Sequence, residues 1–174
     1  MKRILPVILI LIVSAITLSA CTSSEPVPTE TINQELQDQR KTFNDKRGNN
    51  YQAAKTAQAL VDIAKTASPN SSFDAFIKLD ASEADQKKYE LGGDEAEYKA
   101  NVDWMILSVV IDSSLWNKSS EDYKKDLIAS WIKIMQNEYE NSGGMITVSN
   151  DSRKVAEGTW SSSQVGSEPK IELK

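Results

Sequence analysis

A single cysteine, Cys21, stands in a chain of 174 residues, so whatever folds beyond it cannot be cross-linked to itself. Small exported domains commonly lean on disulfides because their cores are too small to stand alone. This chain has to rest on packing, and its length suffices for the core of one domain. Histidine is absent altogether. Without histidine or a second cysteine, the usual zinc sites and the usual base for a nucleophilic serine are both missing. There is no Gly-x-Ser-x-Gly elbow and no glycine-rich phosphate loop. Paired carboxylates can hydrolyse glycosides, but 25 acidic side chains offer such pairs in any arrangement and so carry no signal. No catalytic residue, no metal site and no cofactor is expected.

The N-terminal segment carries the clearest motif. Lys2 and Arg3 precede an apolar run over residues 4–18, which ends in Leu18-Ser19-Ala20-Cys21. A basic start, about 15 apolar residues and small residues before a cut site describe a secretory signal peptide. The run is short of the roughly 20 residues that a spanning helix needs. The tetrapeptide resembles the lipobox of bacterial lipoproteins. That resemblance implies cleavage between Ala20 and Cys21 and acylation of the Cys21 thiol. One acyl chain holds a protein to a bilayer marginally, and two or three hold it stably, since each buried methylene contributes about 0.8 kcal/mol. The resemblance therefore implies an extracytoplasmic protein anchored in a cell membrane or outer membrane. Thr22, where an Asp commonly retains Gram-negative lipoproteins at the inner membrane, suits the outer one.

Removal of residues 1–20 leaves 154, and Lys2 and Arg3 go with them, so that 18 basic side chains face 25 acidic ones. An acidic balance argues against nucleic acid as a partner. The expected organisation is a signal peptide over residues 1–20, a lipidated tether over 21–30 and a single domain over 31–174. The tether is polar and twice interrupted by proline. Within the domain, the apolar spacing predicts a helical hairpin over residues 31–67, its second arm carrying Ala54, Ala57, Val61 and Ala64 on one face. Residues 73–100 are hard to read. Phe73, Phe76, Ile77 and Leu79 form a short apolar patch, and Gly92-Gly93 marks a turn.

Residues 102–174 are expected to run strand, helix, hairpin, strand. The apolar run 104–111 is read as a strand for its β-branched end, with a helix starting near Glu95 as the alternative. A long amphipathic helix follows over residues 120–140, capped by Ser119 and stopped by Gly143-Gly144. Its stripe holds Tyr123, Leu127, Ile128, Trp131, Ile132, Met135 and Tyr139. Asn150-Asp151-Ser152 has turn chemistry between two alternating segments, and residues 170–174 alternate again. The expected fold class is α+β, with an N-terminal helical segment and an antiparallel sheet carrying one long amphipathic helix.

Two clusters could bind something. Asp94, Glu95 and Glu97, with Asp80, Glu83 and Asp85 nearby, lack the spacing of a calcium loop and are expected to form a solvated acidic face. Of the four tryptophans, Trp104 and Trp131 sit in apolar patterns and are expected in the core. Trp116 and Trp160, beside a loop and a strand end, are the candidate binding residues, because exposed aromatics dominate binding hot spots. The expected function is that of a membrane-anchored envelope interaction module, held by its lipid anchor near an envelope protein partner. A small-ligand or cell-wall glycan binding module is the alternative.

Overall fold

Alternation of apolar and polar residues places the strands. In Phe73–Ala81 (β1), Phe73, Ala75, Ile77 and Leu79 are buried while their neighbours face outward. In Val102–Ile111 (β2), Met105, Leu107, Val109 and Ile111 are buried in the same rhythm. Gly143–Asn150 (β3), Arg153–Trp160 (β4) and Lys170–Leu173 (β5) complete a sheet of order β1-β2-β3-β4-β5. The computed structural model describes residues 29–43, 46–162 and 169–174; the expected signal peptide with Ala20 and Cys21 lies outside them.

The helices are Thr29–Lys41 (α1), Tyr51–Ala67 (α2), Glu83–Glu90 (α3), Glu95–Ala100 (α4), Ser113–Lys118 (α5) and Glu121–Glu138 (α6). Five of them begin on a side chain suited to the task. Asn50, Ser82, Asp94, Asp112 and Ser120 each accept a hydrogen bond from the backbone N–H three residues on, satisfying a donor the helix itself leaves orphaned. The cap of α6 is thus Ser120, one residue later than expected. Ser119 instead closes α5, its hydroxyl donating to the Leu115 carbonyl at 2.8 Å.

The fold is α+β, as expected, but the sheet is mixed rather than antiparallel. β1–β2, β3–β4 and β4–β5 are antiparallel, whereas β2 and β3 run parallel with Trp104 beside Gly143 and Val110 beside Ser149. The physical reason lies in α6. Eighteen residues at about 1.5 Å each carry the chain back along the length of β2, so β3 starts from the same end. α2 packs on β1, and α6 reaches β3, β4 and β5. Ala53, Ala57, Leu60 and Val61 of α2 join Ile128, Trp131, Ile132 and Met135 of α6 in a single core over one face of the sheet. Full burial of a Leu, Ile or Met side chain contributes about 1.5–3 kcal/mol.

The segment expected to be a helical hairpin does hold two helices, but α1 rests on α3 rather than along α2. Arg40 of α1 stacks on the Tyr89 ring at 3.6 Å and donates to the carbonyls of Tyr89 and Gly93. α1 is so polar that a guanidinium contact, rather than an apolar stripe, decides where it docks. The segment that was hardest to read is ordered throughout: β1, α3 and α4 fill residues 73–100. The run 104–111 is a strand, and a short helix, α4, does begin at Glu95 before it.

Candidate functional site

The face of the sheet opposite the core carries the surface that stands out. Strand geometry sends alternate side chains to opposite faces, so the outward set of β2 is Trp104, Ile106, Ser108 and Val110. Register places Ile106 between Lys78 and Met145, Ser108 between Phe76 and Thr147, and Trp104 between Asp80 and Gly143. Phe76 and Trp104 are each 39% exposed and Val110 50%. Exposed singly, such residues mean little; five apolar side chains contiguous on three neighbouring strands make a patch.

A pair of glycines shapes this patch. A Cβ on Gly143 would stand 2.8 Å from the Trp104 ring, and one on Gly144 would stand 2.3 Å from the Trp160 ring. Gly143-Gly144 therefore opens β3 with two indoles lying against bare backbone, one from each face of the sheet. The sequence suggested a helix stop at these glycines; the helix ends earlier, at the Tyr139 cap.

The tryptophan assignments change accordingly. Trp131 is in the core, against Phe73 with ring centroids 5.6 Å apart. Trp104, expected there too, faces solvent. Trp116 and Trp160, the candidate binding residues, are buried at 4% and 5% exposure, which leaves neither ring a surface to offer. Trp116 lies within α5, and the cap at Asp112 turns the helix so that its indole joins the core, with Lys124 over the ring. Trp160 falls on the inward phase of β4, and its Nε1 donates to the Ser142 carbonyl at 3.2 Å. The signal for Trp104 was present in β2: Met105, Leu107, Val109 and Ile111 already supply a complete inward face, and Trp104 is out of phase with them.

The acidic cluster is taken up locally. Asp94 caps α4; Glu97 pairs with Lys88; Glu95 pairs with Lys55 and Lys99, and Lys99 also reaches Glu138. Asp85 accepts hydrogen bonds from Ser82 and Asn101, which hold its carboxyl below the usual range. Burial works to raise Glu95, but hydrogen bonds from Lys99 and Lys55 outweigh it and leave the carboxyl lowered. Burial likewise opposes the charge on Lys99, yet Glu138 and Glu95 keep its ammonium favoured. The depression beside them, lined by Asp85, Lys88, Gly93, Asp94 and Glu97, encloses about 10 Å³, the space of about one water.

A second polar cluster lies beneath. The Tyr98 hydroxyl donates to Gln86 at 2.8 Å and accepts from Asn50 at 2.7 Å, and the Tyr139 hydroxyl meets Thr56 at 3.0 Å. Desolvation pushes the Tyr89 phenol up to about 12 and raises Tyr98 and Tyr139 as well. A general acid or base works best with a proton affinity near the operating pH. The shifts of Asp85, Glu95, Lys99 and the three tyrosines all move away from neutrality, and the hydrogen bonds and ion pairs behind them tie α2, α3, α4 and α6 together.

The sequence matches no known protein family and no curated protein. Among solved structures, the C-terminal domain of the sex pheromone staph-cAM373 precursor from Staphylococcus aureus is similar over 60% of this chain and 35% of that one. Their identity is 11% and the TM-score 0.33, a similarity too loose to carry a conclusion about fold or function.

Proposed function

We propose that this chain is a lipid-anchored interaction module of a bacterial cell envelope, working outside the cytoplasm and without catalysis. The observation that carries the reading is the open sheet face, where Trp104, Phe76, Ile106, Val110 and Met145 lie together with no helix of the described residues over them. A patch of this kind on a folded domain marks a contact surface. The motif ending in Cys21 supports the anchor, and the lack of histidine and of a second cysteine supports a binding role.

The test uses the full-length chain in its own envelope. Cys21→Ser is expected to move the protein from the membrane to the soluble fraction; unchanged membrane association overturns the anchor. A photo-reactive residue in place of Trp104 is expected to form an adduct with protein. Adducts with polysaccharide alone would replace the reading with a glycan-binding one, and no adduct of either kind would overturn it.

A further inference from the structure

The open face also says what it fits. β2 is paired in parallel with β3, and strands so paired are ordinarily covered on both faces and apolar on both. β2 has that composition, Trp104, Ile106 and Val110 facing out where a solvated strand would carry polar residues. The charges on this face add a second constraint. Four lysines (Lys78, Lys154, Lys170 and Lys174) stand with Asp80, Glu157, Glu172 and Asp74, the last already paired with Arg47 at the β1 edge, so the face carries no excess of negative charge although the chain carries −5 overall. Both signs occur at each edge: Asp74, Lys78 and Asp80 along β1, and Lys170 and Glu172 along β5. Two acidic molecules repel through most of their surface; here they do not.

We propose that this face binds a second copy of the chain, sheet on sheet, about a two-fold axis that runs along the strands between β2 and β3. The proposal rests on the reading of the face as a contact surface and names its occupant. Such an axis lays β2 on β3 of the second copy and β1 on its β4. Because β2 and β3 are parallel and in register, matched rows then meet along the middle of the face: Ile106 over Met145 and Ser108 over Thr147. Facing sheets settle about 10 Å apart with their side chains interdigitated. The contact is isologous and closes at two copies. Anchoring both copies in one membrane raises their effective concentration and favours the pair further.

The test uses the full chain in its own membrane, carrying Thr147→Cys at the centre of the face, and a bis-maleimide with a spacer of about 10 Å. Lys125→Cys on α6 and the parent chain with Cys21 alone are the controls. A dimer-sized product from Thr147→Cys alone, lost when Ile106→Lys is added without lowering the unfolding temperature, is the expected result. Equal products from Thr147→Cys and Lys125→Cys, or a product that survives Ile106→Lys, overturn the pairing. Cross-linking of Thr147→Cys only to a different protein also overturns it but leaves the contact-face reading standing. No product of any kind overturns both.

Discussion

The two faces of this sheet come from the same residues' backbone and differ in what covers them. Along β2, Met105, Leu107, Val109 and Ile111 share one core with α2 and α6 and are almost fully buried; Trp104, Ile106 and Val110, one residue out of phase, lie outside that core among the described residues. Ser108 apart, the outer set is as apolar as the inner one. Apolar character along a strand therefore tells that both of its faces seek cover, and only the arrangement of helices tells which face has received it from the same chain. On the covered face a side chain contributes to stability; on the open face the same atoms are available for binding.

The largest test of this contrast is a pair of truncations one residue apart. Leu107→Ala should cost about 3 kcal/mol through lost transfer energy and an unfilled cavity, while Ile106→Ala should cost less than about 1 kcal/mol. Equal losses in urea unfolding would show that the outer face is covered in solution. The glycine pair sharpens the same point. Gly144→Ala pushes a methyl into the buried Trp160 ring and should cost about 2 kcal/mol. Gly143→Ala meets Trp104, which can swing into solvent, so its unfolding free energy should fall by well under half as much, while Trp104 fluorescence shifts. Next comes Tyr139→Phe, which removes the hydroxyl bonded to Thr56 and should lower stability by about 1 kcal/mol without altering the open face. Comparison of the variant's thermal unfolding with its cross-linking at Thr147→Cys checks both halves of that statement.

The smallest effect is electrostatic and belongs to the open face. Hydrogen bonds from Lys154 and Lys174 lower the Glu157 carboxyl from 4.5 to about 2. A group whose folded-state value is depressed stabilises the fold above its unfolded value and loses that contribution as pH falls through the folded one. Wild type should therefore unfold at a slightly higher temperature than Glu157→Gln above pH 4.5, with the gap closing as pH falls toward about 2. A gap that persists at pH 2 would mean that packing of the side chain, and not its charge, is responsible.

Local signals were legible wherever they act over a few residues. The alanine face of α2, the wide stripe of α6, the turn before β4 and the alternation of β5 all stand in the sequence as they stand in the fold. At that turn Asp151 and Ser152 both take positive φ, as a two-residue hairpin requires. β1 was not read, although Asp74, Lys78 and Asp80 alternate with Ala75, Ile77 and Leu79, because the exposed Phe76 breaks the pattern. The candidate site was not legible. Trp116 and Trp160 looked accessible because they lie near element ends, yet a one-turn helix and an inward strand phase bury both. Trp104 looked buried because its neighbours are apolar, although those neighbours already fill the inner face.

By itself the sequence determined that no disulfide within the chain could support the fold, that histidine chemistry was excluded, and, to within a residue, where α6 begins. Those properties follow from composition and from hydrogen bonds spanning three residues. Tertiary structure decided that β3 runs parallel to β2, that α1 docks through Arg40 on Tyr89, and that Trp104 is the indole left in the open. Each of these depends on contacts between residues distant in the chain, and strand pairing and helix placement gain their free energy only once those distant segments have met.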